Sequence, residues 1–171
     1  MTAAAAAVTV AGAGNWLLGH DRVGPRVLER ARHRWGDEVE LASLGTDPLA
    51  LLDHLHRQRL LVVVDACVGL GEPGEIRVVE ADLERPLGRE TSVHQIGPIE
   101  TLVVARHLWP ELMPERTLLV MVETGDLDDH AEDELCERVV ATLDRLLARC
   151  HSARPPAPPA PAAERLTLEV T

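Results

Sequence analysis

The chain has 171 residues, enough for one substantial core, and is most simply read as a single folded domain. Its formal net charge of −11, with no clustered basic face, argues against a nucleic-acid partner, and no apolar run is long enough to span a membrane. Hydrophobic residues make up 46% of the chain yet include no Phe or Tyr, so the core must be built from Leu, Val, Ile and Ala.

Residues 8–11 read as a buried strand, and residues 23–35 as an amphipathic helix with apolar positions at Val23, Val27, Leu28, Ala31 and Trp35. A second strand is expected over 39–44. A helix is expected over 48–56, with Asp47 as its N-cap and Pro48 at its first position. Residues 60–64 form a continuous aliphatic run, the pattern of a central parallel strand covered on both faces. Further strands are expected over 74–81 and 117–122, a helix over 95–109 between them, and a closing helix over 131–147. This alternation predicts an α/β three-layer sandwich, in which a mostly parallel, twisted sheet of about five strands is flanked by helices.

The core domain is expected to occupy residues 1–150. Residues 151–171 are read as a Pro/Ala-rich tail, because the prolines between 155 and 161 cannot continue a helix and have little to bury. Residues 165–170 carry a short alternating pattern that could add a strand. The alanine run at 3–7 lacks the positive flank of an export signal, so the protein is expected in the cytoplasm, as a monomer. Cys67, Cys136 and Cys150 are odd in number and widely spaced, as in reduced thiols. Cys67, two residues beyond Asp65, is read as a small packed residue and not as a ligand or nucleophile.

Three separated stretches carry the chemistry. The first is Gly14-Asn15-Trp16-Leu17-Leu18-Gly19-His20-Asp21-Arg22-Val23-Gly24. The second is the strand Leu61-Val62-Val63-Val64 running into Asp65, and the third is His94-Gln95-Ile96-Gly97 before a helix. Two carboxylates and an imidazole, Asp21, Asp65 and His94, suit a divalent first-row ion and leave coordination positions open for a substrate. Binding sites of open α/β sheets gather at the carboxyl ends of strands, where these residues are expected to meet. Taken singly, each has a duller reading as a helix cap, a turn-former or a surface residue.

In this order, the three stretches resemble the maturation endopeptidases of nickel-iron hydrogenases, whose pattern is a GN-x-L-x-x-D/E-D/E-x-x-G turn, an aliphatic strand ending in Asp and an HQ-x-G segment. The resemblance spans residues 8–148. It implies the final maturation cut of a hydrogenase large-subunit precursor, removing a C-terminal extension once nickel is in place. It assigns Asp21, Asp65 and His94 as both catalytic and metal-contacting residues. The nickel is carried by the substrate, and zinc or cadmium is expected to substitute for it.

Two departures accompany the likeness. His20 stands where relatives often carry an acid, and Ser43-Leu44-Gly45-Thr46 stands where they often carry D-G-G-T, leaving Asp47 as a nearby substitute. These favour an alternative reading, a relative that binds nickel or a hydrogenase subunit without cutting. Gly12-Ala13-Gly14 also tempts a nucleotide-binding reading. The third glycine of that fingerprint falls on Leu17, however, and no acid ends the second strand to hold a ribose. Among other polar residues, Glu123 is a second candidate for the peptide groove, and Asp126 to His130 is read as the capped start of a helix.

Overall fold

The computed structural model describes residues 6–69, 71–84, 97–125 and 127–152. Five strands, β1 (Val8–Ala13), β2 (Val39–Gly45), β3 (Leu60–Cys67), β4 (Ile76–Glu80) and β5 (Arg116–Glu123), form one sheet in the order β2-β1-β3-β5-β4. All neighbours run parallel except β4, which is antiparallel to β5. Three α-helices, α1 (Val23–Ala31), α2 (Pro98–Leu108) and α3 (Asp129–Ser152), cover the sheet. The expected three-layer sandwich is therefore observed.

The aliphatic runs explain the layering. Along β3, Leu60, Val62 and Val64 point to a core shared with α1 and α3, whereas Leu61 and Val63 point to a core shared with α2 and a 3-10 segment (Pro48–His54). A strand with both faces buried must be apolar at every position. Each fully buried Val or Leu there contributes about 1.5–3 kcal/mol.

Several boundaries differ from expectation, each for a local reason. Helix α1 stops at Ala31 instead of continuing to residue 35, because Trp35 turns onto α3 and donates its indole N–H to Asp144 Oδ1 at 2.8 Å. Residues 48–54 form a 3-10 segment and not an α-helix, anchored by the single fully buried Leu51. The Asp47 carboxylate caps it by accepting from the Leu49 amide at 2.9 Å. Strand β3 runs on to Cys67 because its last three residues pair with Met121, Val122 and Glu123 of β5. Helix α3 starts at Asp129, with Asp128 accepting from the Ala131 amide at 2.8 Å as a cap, and it extends through Ser152. The expectations for Gln95 and Ile96, for Asp126, for residues 153–161 and for the strand over 165–170 fall outside the described residues.

The topology marks one place for a site. Strand β2 lies on one side of β1 and β3 on the other, so the chain reverses its direction of winding at β1. The crevice at the carboxyl ends of β1 and β3 is where open sheets bind ligands. Helix α1 leaves this crevice in very close contact with β1: a Cβ on Gly24 would sit 2.1 Å from the Ala13 carbonyl oxygen.

That contact makes a prediction with an unusual sign. Gly to Ala inside an unconstrained helix stabilises by about 1 kcal/mol. Gly24→Ala should instead destabilise by about 2–4 kcal/mol, lowering the thermal midpoint by roughly 5–10 °C in a melting experiment. An unchanged or raised midpoint would show that α1 does not lie this close to β1.

Candidate active site

Strand β1 is the first to stop. Its pairing with β3 ends at Gly12 and Val64, so from Asp65 onward the β1 side of β3 faces a loop instead of a strand. That loop is built by residues 14–21. Gly14 has a φ of +131°, where an added Cβ would meet the Asp21 carbonyl oxygen at 2.0 Å, so only glycine fits. Asn15 then closes the turn in three ways. Its amide donates to Asp21 O at 2.9 Å and to Asp21 Oδ2 at 3.0 Å, and its side-chain oxygen accepts from the Leu17 amide at 2.9 Å. A 3-10 turn (Gly19–Asp21), in which the Asp21 amide donates to Leu18 O at 2.9 Å, delivers the Asp21 carboxylate against β3.

Asp65 therefore lies two residues inside β3, not at its end, but at the point where β1 has withdrawn. It is half-buried. Burial, and after it the negative charge of Asp21, push its pKa up to about 6, partly offset by a hydrogen bond from the Ala66 amide. The fold thus brings together two of the three residues singled out in the sequence. His94 lies outside the described residues. Among the described residues, no group of three His, Cys, Asp or Glu side chains is arranged to hold a metal.

The neighbouring groups have narrower roles. The Cys67 thiol is pushed up by burial and then by the charges of Glu123 and Asp65, which keeps it protonated and a weak nucleophile at neutral pH. Glu123 is buried at the end of β5, level with Cys67, within the same acidic edge. The His20 side chain is exposed. Ser43 is exposed near the end of β2, and Asp47, the nearby substitute acid, has its carboxylate engaged as a cap. His54 is bound to Glu40 through Nδ1 at 2.7 Å, away from this edge. Gly12 allows the approach of Gly24 in α1, a packing role that accounts for the glycine the nucleotide reading had used.

The rim is unusually apolar. Trp16 is 50% exposed, Leu17 90% and Leu18 47%, all in the turn that carries Asp21, and Val68 just past β3 is 67% exposed. From Trp16 and Ser43 a cavity of about 490 Å³ runs between α1 and the β2 edge, floored by Leu28, Val39 and Leu41. Exposed large apolar side chains grouped on one turn are a recognised feature of surfaces that meet other proteins.

The raised Asp65 has a measurable consequence for stability. Its folded pKa, about 6, lies above the unfolded value near 4, so the folded state favours the protonated form. That contribution is complete below about pH 4 and is lost as the pH rises through 6. Asp65→Asn, permanently neutral, should be more stable than the parent by about 1–3 kcal/mol at pH 7.5, after discounting for partial exposure. The gain should vanish near pH 4. Urea unfolding of metal-free protein at both pH values checks this, and a gain independent of pH would refute it.

Comparison with known proteins places these features in context. The family model described as hydrogenase maturation protease matches residues 25–152. The hydrogenase expression/formation protein HupM of Azotobacter chroococcum mcd 1 is 33% identical over 153 residues, covering 86% of this chain and 71% of the relative. HupD of Thiocapsa roseopersicina is 31% identical over 147 residues, covering 82% of this chain and 66% of its own length. The chain thus spans about two thirds of the length of these curated relatives. Among solved structures, the hydrogenase maturating endopeptidase HybD from Escherichia coli is similar with a TM-score of 0.66 at 24% identity, over 83% of this chain and 92% of that one. The hydrogenase maturation protease HycI from Thermococcus kodakarensis gives 0.64 at 23% identity, over 82% and 92%. These two structural likenesses bear on the fold alone.

Proposed function

Given that the chain belongs to the hydrogenase maturation protease family, we propose that it is the endopeptidase that removes the C-terminal extension of a nickel-iron hydrogenase large-subunit precursor after nickel insertion. The observation that carries this reading is the meeting of Asp21 and Asp65 at the switch point of the sheet, with the pKa of Asp65 raised to about 6. Hard oxygen donors at a crevice suit a divalent ion presented by a substrate. Asp21 and Asp65, with His94 as the third donor, occupy open positions on the nickel of the precursor. The metal then reports that the substrate is ready.

The chemistry asked of the protein is modest. A carboxylate with a pKa near 6 is largely ionised at neutral pH, yet basic enough to take a proton from water. This makes Asp65 the general base for attack on the scissile carbonyl. The nickel of the precursor would supply Lewis-acid polarisation of that carbonyl. Cys67, kept as a thiol, is not the nucleophile, so cleavage should resist cysteine-directed and serine-directed inhibitors. The exposed Trp16, Leu17 and Leu18 rim and the adjoining cavity support docking of a folded precursor with an extended tail.

One observation favours a second reading. Ser43 leaves no carboxylate at the end of β2, and Asp47 is engaged as a cap, which fits a protein that grips the nickel-loaded precursor without cutting it.

Incubation with nickel-loaded and nickel-free precursor, followed by intact-mass measurement, separates the two. Loss of the extension from the nickel-loaded form alone is the expected result. Asp21→Asn, Asp65→Asn and His94→Ala should each slow it by roughly 10²–10⁴-fold while remaining folded. Unchanged mass with wild-type protein favours the non-cleaving reading, and full activity in His94→Ala removes that residue from the site.

A further inference from the structure

The two carboxylates reach the crevice on separate pieces of chain, so something must fix their separation. Asp65 is carried by the sheet. Asp21 is carried by a turn whose own hydrogen bonds, through Asn15 and Leu18, are all internal to the turn and do not register it against β3. Among the described residues, one outside the turn makes that connection by hydrogen bonds. Thr124, the first residue after β5, is 2% exposed. Its amide donates to Cys67 O at 3.1 Å, and its hydroxyl donates to His20 O at 2.7 Å. Cys67 lies two residues after Asp65, and His20 immediately precedes Asp21.

We propose that Thr124 is a positioning residue for the cleavage reaction, its hydroxyl holding the Asp21 turn in register with the strand that carries Asp65. This rests on the functional reading given above. A hydroxyl has a single proton to give, and the 2.7 Å bond to His20 O takes it; Cys67 O, at 3.5 Å from the same oxygen, is already served by the Thr124 amide. The hydroxyl is thus committed to the turn and the amide to the strand. The residue after Asp21 is tied elsewhere: Arg22 forms bonds of 2.8–3.0 Å with the buried carboxylate of Glu132 on α3. Arg22 fixes the turn to a helix, whereas among the described residues it is Thr124 that hydrogen-bonds it to the edge bearing the second acid. The departure at residue 20 is harmless on this account, because the grip is on a backbone carbonyl and the His20 side chain points into solvent.

The test compares Thr124→Val, which keeps the shape and deletes the hydroxyl, with Thr124→Ser, which keeps the hydroxyl. Three readouts are taken: thermal midpoint, affinity for nickel chloride by calorimetry, and kcat and KM on nickel-loaded precursor. Thr124→Val should remain folded, bind nickel roughly tenfold more weakly and lose roughly tenfold or more in kcat with KM little changed, as for a partner that orients a ligand. Thr124→Ser should recover both. If the valine variant melts below the assay temperature, Thr124→Ala replaces it. Wild-type kcat and nickel affinity in the hydroxyl-free variant, or no recovery by serine, overturn the proposal. A wild-type protein that binds nickel but leaves precursor uncut overturns the cleaving function alone, and the positioning role is then decided by the affinities. A wild type that does neither overturns both.

Discussion

The close approach of α1 to β1, with Gly24 lying against the Ala13 carbonyl, sets where everything else at the site must go. With the helix drawn this near, the intervening residues 14–22 have no room to cross the sheet edge as an open loop. They fold back as a tight turn instead, possible only because Gly14 can adopt a positive φ and tolerate the Asp21 carbonyl beside it. The turn projects over the end of β3, where β1 has already stopped. The two acids meet because a helix packs closely, not because they attract.

Carboxylates do not choose one another's company, so the arrangement must be held against their repulsion. The hold is electrostatic on one side. Arg22, Arg26, Arg30 and Arg34 stand every fourth residue from just before α1 to just past it, and each meets an acid of α3, among them Asp129, Glu132, Asp133 and Asp144. Most of these pairs are partly solvated and worth little singly. Glu132 differs. It is 3% exposed, and although burial works against its charge, hydrogen bonds from Arg22 and Arg26 prevail and hold it below the usual carboxylate range. Removing one member of such a buried set strands the others, which is why it pins the start of α1 more firmly than its exposed neighbours do.

Much of the fold could be foreseen from the chain, because both-sided apolar runs such as Leu60 to Val64 admit few interpretations. The order of strands and helices and the Asp47 cap follow from local pattern, whereas the meeting of Asp21 with Asp65 was expected from the three motifs taken together in family order and from their places at strand ends. The remaining features depend on partners distant in sequence. Strand β3 is lengthened by the β5 residues opposite it, and α1 is cut short by the bond of Trp35 to Asp144. The antiparallel sense of β4 leaves no mark in its composition. The arginine spacing at 22, 26, 30 and 34 was visible, yet only the structure shows that the row faces α3 and not solvent. Thr124 carried no signal at all, since its role consists of two carbonyls that belong to other segments.

The same repulsion gives the site its selectivity under the proposed function. In the absence of a cation, burial and the charge of Asp21 raise the proton affinity of Asp65, so the ionised pair is disfavoured. A divalent ion presented by the substrate would reverse that balance, because it would offset both charges and so favour the ionised pair. A precursor without nickel would offer the apolar rim a partner but leave the two acids unneutralised. Docking through Trp16, Leu17 and Leu18 would then be common to loaded and empty precursors, while the acidic centre would discriminate between them. Specificity of this kind needs a site that is uncomfortable when empty, and the packing of Gly24 against β1 is what keeps it so.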